Sequence, residues 1–156
     1  MINDLPKGLV YLASPYTHDD VYVREDRFLL SCKACAFAFN EWRLNITSAI
    51  VFTHPLLTRY TMPVEWEFWA HYDEKVIDTC EEVWVLCIPG FTHSVGTNSE
   101  IALAKAKGKR VRYMIPHEFG YDVSDECPKE ENLYGKIMHG RLATETLNAP
   151  PSTSAR

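Results

Sequence analysis

The 156-residue chain lacks the features that mark nucleic-acid-binding, membrane and secreted proteins. Its formal net charge is −5 at pH 7, whereas proteins that bind nucleic acid usually carry a strong basic excess. The densest basic stretch, residues 105–112, alternates with apolar residues and is interpreted as a solvated helix end and strand edge. No segment approaches the roughly 20 apolar residues of a membrane span, and the first residues do not resemble a secretory signal. We therefore expect no nucleic-acid partner and no membrane partner.

The chain has five cysteines, which are scattered along its length. Their odd number does not favour a disulfide framework. Cys32 and Cys35 form a CxxC motif inside a helical pattern, so we interpret them as buried apolar side chains, with a redox pair as the alternative. The chain has no His and Cys spacing typical of zinc, and no GxGxxG or Walker loop. We expect no metal, no organic cofactor and a reduced, cytoplasmic protein.

Apolar residues make up 46% of the chain and charged residues 24%, which is ordinary for a folded domain. The length predicts a single domain over residues 1–147, followed by a disordered tail of small and polar residues at 148–156. Residues 116–128 are assigned to a loop, either a simple connection or a contact to a partner. Strands are predicted at 8–13, 46–52, 83–88 and 111–115, and helices at 19–40, 63–79, 97–107 and 130–144.

This alternation predicts an α/β fold, an open, mostly parallel sheet of four or five strands with helices on both faces, Rossmann-like or flavodoxin-like. Such sheets bind ligands beyond the carboxyl ends of their strands, near the point where the strand order reverses. Three segments occupy such positions: Ser14-Pro15-Tyr16, Thr53-His54-Pro55 and the loop 89–96. His54 and His93 in these segments are candidates for a phosphate or sugar contact, although lone histidines are more often incidental.

Residues 94–100, with the sequence SVGTNSE, place a serine, a glycine and a carboxylate at the start of a predicted helix. The free amides and the dipole of a helix N-terminus favour an anion such as a nucleotide phosphate, with Glu100 facing the crevice. Alternatively, Thr97 and Glu100 form a capping box, in which Glu100 only reaches back to the backbone of Thr97. The spacing by itself favours the capping box.

Several motifs, taken in their order and spacing, resemble the nucleoside 2-deoxyribosyltransferase superfamily. They are VYLASPY at residues 10–16, Asp73, CEEVWVL at residues 80–86, Pro89-Gly90 and Ser94-x-Gly96-x-x-x-Glu100. Within that superfamily the chain is most similar to a poorly characterised branch with the signatures LASPY and PGxxxSxGxxxE. This branch is related to the 2'-deoxynucleoside 5'-monophosphate N-hydrolases. The resemblance covers roughly residues 8–115.

The resemblance implies a role for each matched residue. Glu100 matches the family's nucleophilic glutamate, Asp73 the aspartate that contacts the base and helps protonate it, and Tyr11 a tyrosine near the nucleophile. From the residues alone, Asp73 is expected to be a solvent-facing helix residue, and Tyr11 is as readily a core tyrosine as a catalytic one. The predicted substrate-binding residues are Ser14, Pro15, Tyr16, Phe91, Ser94 and Gly96.

Two groups of residues bear on the substrate. Ser94 falls where the transferases tend to carry an acidic residue and where the monophosphate hydrolases carry a phosphate-binding serine, which favours a phosphorylated substrate. Aromatic side chains near the crevice are candidates for stacking on a base, although the two tryptophans are more typical of core packing. These aromatic residues are Tyr16, Trp66, Trp69 and Phe91.

The implied reaction breaks the bond between C1′ and a base nitrogen through a transition state like an oxocarbenium ion. Glu100 is then expected to be ionised, as a helix N-terminus favours, and Asp73 is expected to hold a proton near neutral pH. The predicted function is a deoxyribosyltransferase-like N-glycosidase acting on a 2'-deoxynucleoside or its 5'-monophosphate through a glycosyl-glutamate intermediate. The alternatives are a monophosphate N-hydrolase and a non-catalytic nucleotide sensor. By analogy with the superfamily, a homo-oligomer is expected.

Overall fold

Five strands and five helices make up the part of the chain that the computed structural model describes, which is residue 2 and residues 4–134. The strands are β1 (Val10–Ala13), β2 (Ile46–Thr47), β3 (Glu82–Leu86), β4 (Arg110–His117) and β5 (Gly120–Ser124). The helices are α1 (Val21–Trp42), α2 (Ala49–Arg59), α3 (Trp66–Thr79), α4 (Val95–Ala106) and α5 (Glu130–Tyr134). Among the described residues, no helix has both the length and the apolar character needed to cross a bilayer.

The strands form one sheet in the order β2-β1-β3-β4-β5. β1 pairs in parallel with both β2 and β3, β3 pairs in parallel with β4, and β5 runs antiparallel to β4 at the edge. This order is that of flavodoxin-like sheets, in which the strand order changes direction between β1 and β3. The predicted open, mostly parallel α/β sheet is therefore confirmed, with five strands.

Side chains of the inner strands alternate between the two faces of the sheet, as the pleat of a strand requires. On one face, Val10 and Leu12 of β1 pack with residues of α1 in one apolar cluster. On the other face, Tyr11 and Ala13 of β1 pack with residues of α3 and α4 in a second cluster. Helices cover both faces, as predicted, and Tyr11 is directed toward the layer that holds α3 and α4.

The CxxC motif lies in the middle of α1. Cys35 is buried in the first apolar cluster, and burial raises the pKa of its thiol to about 12, so this thiol is protonated at neutral pH. Cys32 is half-buried, and the described cysteines are all free thiols. The structure therefore agrees with the interpretation of Cys35 as a buried apolar side chain.

The strand predicted over residues 46–52 is wrong beyond its first two residues. β2 ends at Thr47, and the rest of the run belongs to α2, which extends to Arg59 and contains Pro55. Ser48 caps this helix, since its side chain accepts a hydrogen bond from the Val51 amide at 3.3 Å. A β-branched run fits either a strand or a buried helix, and this cap together with tertiary packing decides the outcome.

Three other boundaries differ from the sequence-based expectations. α3 begins at Trp66 rather than at Pro63. The segment 116–128, predicted to be a loop, instead contributes the end of β4 and the whole of β5. Only Glu130–Tyr134 of the predicted last helix belongs to the described residues, and the rest of that helix and the tail at 148–156 lie outside them.

The basic residues near the end of α4 are paired with acidic side chains, in agreement with their interpretation as a solvated surface. Lys107 Nζ lies 2.5 Å from Asp78 Oδ1 and 3.2 Å from Glu74 Oε1. Arg110 contacts Asp125 and Asp4. These pairs lie away from the carboxyl ends of β1 and β3.

The role of Ser48 gives a direct test of the helix that replaces the predicted strand. Ser48→Ala removes the cap of α2 and should lower the free energy of unfolding by about 1 kcal/mol, whereas Ser48→Asp should retain most of it. Urea denaturation measures this difference, with Thr61→Ala in the exposed loop after α2 as the matched control. An unchanged unfolding midpoint for Ser48→Ala would contradict the capping role.

Candidate active site

A cavity of about 340 Å³ lies at the carboxyl ends of β1 and β3, where the strand order reverses. This is the position that the ligand-binding rule for open α/β sheets predicts. The cavity walls come from the segment after β1, from α2, from the first half of α3 and from the start of α4. Residues that line it include Ser14, Tyr16, Thr53, Trp66, Trp69, Asp73, Ser94, Gly96 and Glu100.

Three polar side chains from three different elements converge beside this cavity. Tyr11 of β1 is fully buried, and its hydroxyl donates a hydrogen bond to Glu100 Oε1 at 2.7 Å. Glu100 of α4 is 6% exposed, and Asp73 of α3 is 5% exposed. Asp73 and Glu100 both line the cavity. The charge of Asp73 raises the pKa of Glu100, and the charges of both carboxyl groups raise the pKa of Tyr11. We call Tyr11, Asp73 and Glu100 the carboxyl–tyrosine cluster.

The capping box that the spacing favours is not formed. α4 begins at Val95, two residues earlier than expected, and its N-cap is Ser94, whose Oγ accepts a hydrogen bond from the Thr97 amide at 3.2 Å. Glu100 therefore lies in the second turn and bonds to Tyr11 instead of to the backbone of Thr97. The expectation that Asp73 faces solvent is also wrong, because α3 directs it into the interior.

Burial determines the protonation of the two carboxyl groups. It raises the pKa of Asp73 to about 6, with an opposing contribution from the Tyr11 hydrogen bond. Burial, and next to it the negative charge of Asp73, raises the pKa of Glu100 well above its ordinary value, while the Tyr11 hydrogen bond lowers it. The expected ionisation of Glu100 by the helix N-terminus is therefore outweighed by desolvation. Both carboxyl groups therefore keep their protons to a higher pH than exposed carboxyl groups do.

Several buried polar atoms around the cavity have no hydrogen-bond partner among the described residues. They are Asp73 Oδ1, Trp66 Nε1 and Thr97 Oγ1. Asp73 and Trp66 belong to the cavity lining, although these two atoms are themselves buried below its surface. Buried polar groups without a partner are uncommon in folded proteins and are typical of sites that are completed by a ligand or water.

The predicted substrate-binding residues separate into two groups. Ser14, Tyr16, Ser94 and Gly96 line the cavity. Pro15 and Phe91 do not, since both are buried in the protein interior, Phe91 as part of the apolar cluster under α3 and α4. The stacking role expected for Phe91 therefore does not fit its position. Trp66 and Trp69, for which core packing was the favoured interpretation, do line the cavity.

His54 belongs to a buried network that the sequence does not reveal. Its Nε2 lies 2.7 Å from Glu25 Oε2, and its Nδ1 lies 2.8 Å from the hydroxyl of Tyr16. Its ring stacks on Phe28 with the ring centroids 4.1 Å apart. His54 thus holds Tyr16 in the cavity wall without lining that cavity itself. Glu25 and Phe28 come from α1 and are distant from His54 in sequence, so no local pattern indicates this contact.

His93, the other candidate histidine, lies at the edge of the cavity with a side chain that is 88% exposed. Its Nδ1 is 2.8 Å from Thr92 Oγ1 and 3.7 Å from Glu130 Oε2. Within residues 4–134, no group of three or more His, Cys, Asp or Glu side chains comes together in a way that could hold a metal ion.

The chain belongs to the family described as "Domain of unknown function (DUF1937)", whose sequence model matches residues 8–115. The matched region begins just before β1 and ends within β4, so it contains every member of the carboxyl–tyrosine cluster. No curated protein matches the chain.

Because the pKa of Asp73 is raised in the folded state, the folded protein binds this proton more tightly than the unfolded chain does. The stability therefore falls as pH rises from about 4 to about 6, and this loss persists at higher pH. Asp73→Asn, which cannot ionise, should be more stable than the wild type at pH 7 by up to about 3 kcal/mol, with a much smaller difference at pH 4. Chemical denaturation at the two pH values measures the difference.

Asp26→Asn is the matched control for that measurement, since Asp26 of α1 is an exposed aspartate that forms no ion pair with another described residue. Its stability difference from the wild type should be small and should not grow between pH 4 and pH 7. An increase with pH in the free energy of unfolding of the wild type relative to Asp73→Asn would contradict the raised pKa of a buried Asp73.

Proposed function

We propose that this member of the DUF1937 family is an N-glycosidase that cleaves the bond between C1′ and the base of a 2'-deoxynucleoside or its 5'-monophosphate. The reaction is proposed to pass through a covalent glycosyl intermediate on Glu100. The observation that carries the proposal is the hydrogen bond from Tyr11 to Glu100, formed in a buried site beside Asp73 at the wall of a cavity. The family resemblance of the same three residues supports the assignment.

In the first step, a carboxylate oxygen of Glu100 bonds to C1′ while the bond from C1′ to the base nitrogen breaks. The electron pair of that bond leaves with the base, and Asp73 transfers its proton to the departing base. The reactive form of the pair therefore has its single proton on Asp73 and its negative charge on Glu100. The hydrogen bond donated by Tyr11 favours this form because it stabilises the charged state of Glu100.

In the second step, an acceptor attacks C1′ and releases the Glu100 carboxylate. Asp73, now ionised, takes the proton that the acceptor loses, which restores the starting state. A second base as the acceptor gives transfer, and water gives hydrolysis. Both outcomes use the same three residues, so the acceptor that reaches the intermediate distinguishes a transferase from a hydrolase.

The cavity suits a molecule of nucleoside size. Its volume of about 340 Å³ lies at the lower end of the range of small-molecule sites. Trp66, Trp69 and Tyr16 offer aromatic surface along its walls, and Asp73 and Glu100 offer carboxyl groups in its depth. These features support a planar, polar base as the group held between α3 and the segment after β1.

Replacement of Glu100 tests the nucleophile. Glu100→Gln should fold and should reduce base release by at least about 10⁴-fold, because the amide cannot form the glycosyl ester. Tyr11→Phe should reduce the rate by about 10- to 100-fold, because it removes the hydrogen bond that favours the ionised, nucleophilic form of Glu100. The measurement is chromatographic detection of free base from 2'-deoxynucleosides and their monophosphates, with and without a second base.

Glu74→Gln serves as the control variant in this assay and should retain wild-type activity. New nucleoside that forms only with a second base present would identify a transferase, and base release in water alone would identify a hydrolase. Wild-type protein that binds nucleosides without releasing base would contradict the proposal and would favour the alternative, a non-catalytic nucleotide sensor.

We further propose that the chain forms a homo-oligomer through the outer faces of α2 and α3. Phe52 and Phe68 on these helices are 58% and 52% exposed, and Phe52 stacks on Tyr72 with the centroids 5.7 Å apart. Exposed apolar patches of this kind mark interaction sites more often than single exposed residues do.

The five free thiols support the cytoplasm, a reducing compartment, as the proposed location of the protein.

Mass measured by light scattering tests the oligomer. The wild type should have at least twice the mass of one chain, and the double variant Phe52→Ser, Phe68→Ser should shift toward the single-chain mass. Phe119→Ser, which removes a still more exposed aromatic side chain at the β4–β5 turn, is the control and should leave the mass unchanged. A wild type of single-chain mass at high concentration would contradict the oligomer.

A further inference from the structure

Most of the charged side chains that line the cavity are acidic. Four carboxyl groups line it: Asp73 and Glu100 in its depth, and Glu65 and Glu67 at the start of α3. Among the described residues that line the cavity there is no lysine and no arginine. His93 is the one basic side chain in the lining, and it is mostly exposed and lies 3.7 Å from the Glu130 carboxylate.

Glu65 and Glu67 are not neutralised by neighbouring cations. Both are exposed, and neither forms an ion pair with another described residue. The guanidinium of Arg27 does not line the cavity, and its hydrogen bonds go to the backbone carbonyls of Tyr16 at 3.3 Å and of Thr17 at 2.9 Å rather than to a carboxylate. The electrostatic potential at the cavity is therefore negative. Solvent screens the charges of the exposed Glu65 and Glu67 more than those of the buried carboxyl groups.

The feature that opposes this field is the N-terminus of α4, which by itself favours an anion. Two of its first amides are already engaged within the helix start, because Thr97 donates to Ser94 Oγ and Asn98 donates to the Ser94 carbonyl. Glu100 lies in the following turn and adds a carboxyl group on the same side. The helix dipole corresponds to about half a charge, which is less than the charge of the two exposed glutamates.

We infer that this site selects an uncharged 2'-deoxynucleoside over its 5'-monophosphate, and that Glu65 and Glu67 are the residues that reject the phosphate. A phosphate monoester carries between about −1.5 and −2 charges at pH 7, and here it meets carboxylates without a compensating cation. The inference rests on the proposed function. It reverses the expectation from Ser94 of a phosphorylated substrate, because the one hydroxyl that Ser94 offers carries no charge to offset the two exposed glutamates.

The discriminating experiment measures binding separately from turnover. Trp66 and Trp69 line the cavity, whereas Trp42 and Trp84 pack in the apolar cluster under α1, so ligand-induced changes in tryptophan fluorescence report on the cavity. Thymidine, 2'-deoxyadenosine and their 5'-monophosphates are titrated into the wild type and into the double variant Glu65→Gln, Glu67→Gln. A second double variant, Glu41→Gln with Glu118→Gln, removes the same net charge from exposed positions outside the cavity lining.

For the wild type we expect the nucleoside to bind at least about tenfold more tightly than its monophosphate at low salt, and we expect added salt to reduce this ratio. The Glu65→Gln, Glu67→Gln variant should reduce the ratio at least about threefold, mainly by tightening monophosphate binding. The Glu41→Gln, Glu118→Gln control should keep the wild-type ratio. An effect of equal size in the control would assign the discrimination to net charge and overturn the role of the two residues.

Two further outcomes overturn the inference. One is a wild type that binds the monophosphate as tightly as the nucleoside or more tightly, and the other is a ratio that the Glu65→Gln, Glu67→Gln variant leaves unchanged. Selective nucleoside binding without release of base would support the inference and overturn the proposed function. Binding of neither ligand would overturn both.

Discussion

The hydrogen bond between Tyr11 and Glu100 is the interaction on which the arrangement of the site depends. It joins the first strand to α4 across the interior, and it holds a carboxyl group that is almost fully buried. Tyr11 reaches this position because its place in β1 directs it toward the layer of α3 and α4. Glu100 reaches it because Ser94 fixes where α4 begins. A shift of one residue in either element would separate the two groups.

The two faces of the sheet differ in what they contain. The face under α1 is packed with apolar side chains around Trp84 and Leu86, so its burial stabilises the fold. The face under α3 and α4 contains a comparable apolar cluster, but it also encloses two carboxyl groups and several polar atoms without partners. Buried carboxyl groups disfavour ionisation, and a polar atom without a partner loses its hydrogen bond to water. The site is thus maintained at a cost in stability, as is common for functional sites.

The layout of the sheet follows from local patterns, which is why it can be predicted. Short apolar runs such as Val10–Ala13 alternate with helical segments, and this order leaves few possible topologies. The start of α4 cannot be predicted in the same way, because Ser94 and Thr97 are both good N-caps and only packing decides between them. α2 and β5 were missed because β-branched residues and Pro-containing segments are compatible with several structures.

Several features of the site cannot be predicted from the sequence. The resemblance brings Glu100, Asp73 and Tyr11 together as candidates, but their burial and the raised pKa values of the two carboxyl groups follow only from the packing of three distant segments. The contact of His54 with Glu25, and the concentration of Glu65 and Glu67 beside the cavity, are likewise tertiary features. Phe91 illustrates the opposite case, since its position in a suggestive loop does not reveal that its side chain turns into the core.

Asp73 and Glu100 are buried together, and we expect both to keep their protons to a higher pH than exposed carboxyl groups do. A ¹³C NMR titration of the side-chain carboxyl carbons, in the wild type and in Asp73→Asn, tests it most directly. In the wild type we expect two titration steps, both above the ordinary range of carboxyl groups, with one at a pKa of about 6. In Asp73→Asn, we expect the pKa of Glu100 to fall, because the neighbouring charge is gone. Two carboxyl groups that are both fully ionised at pH 5 would contradict the account.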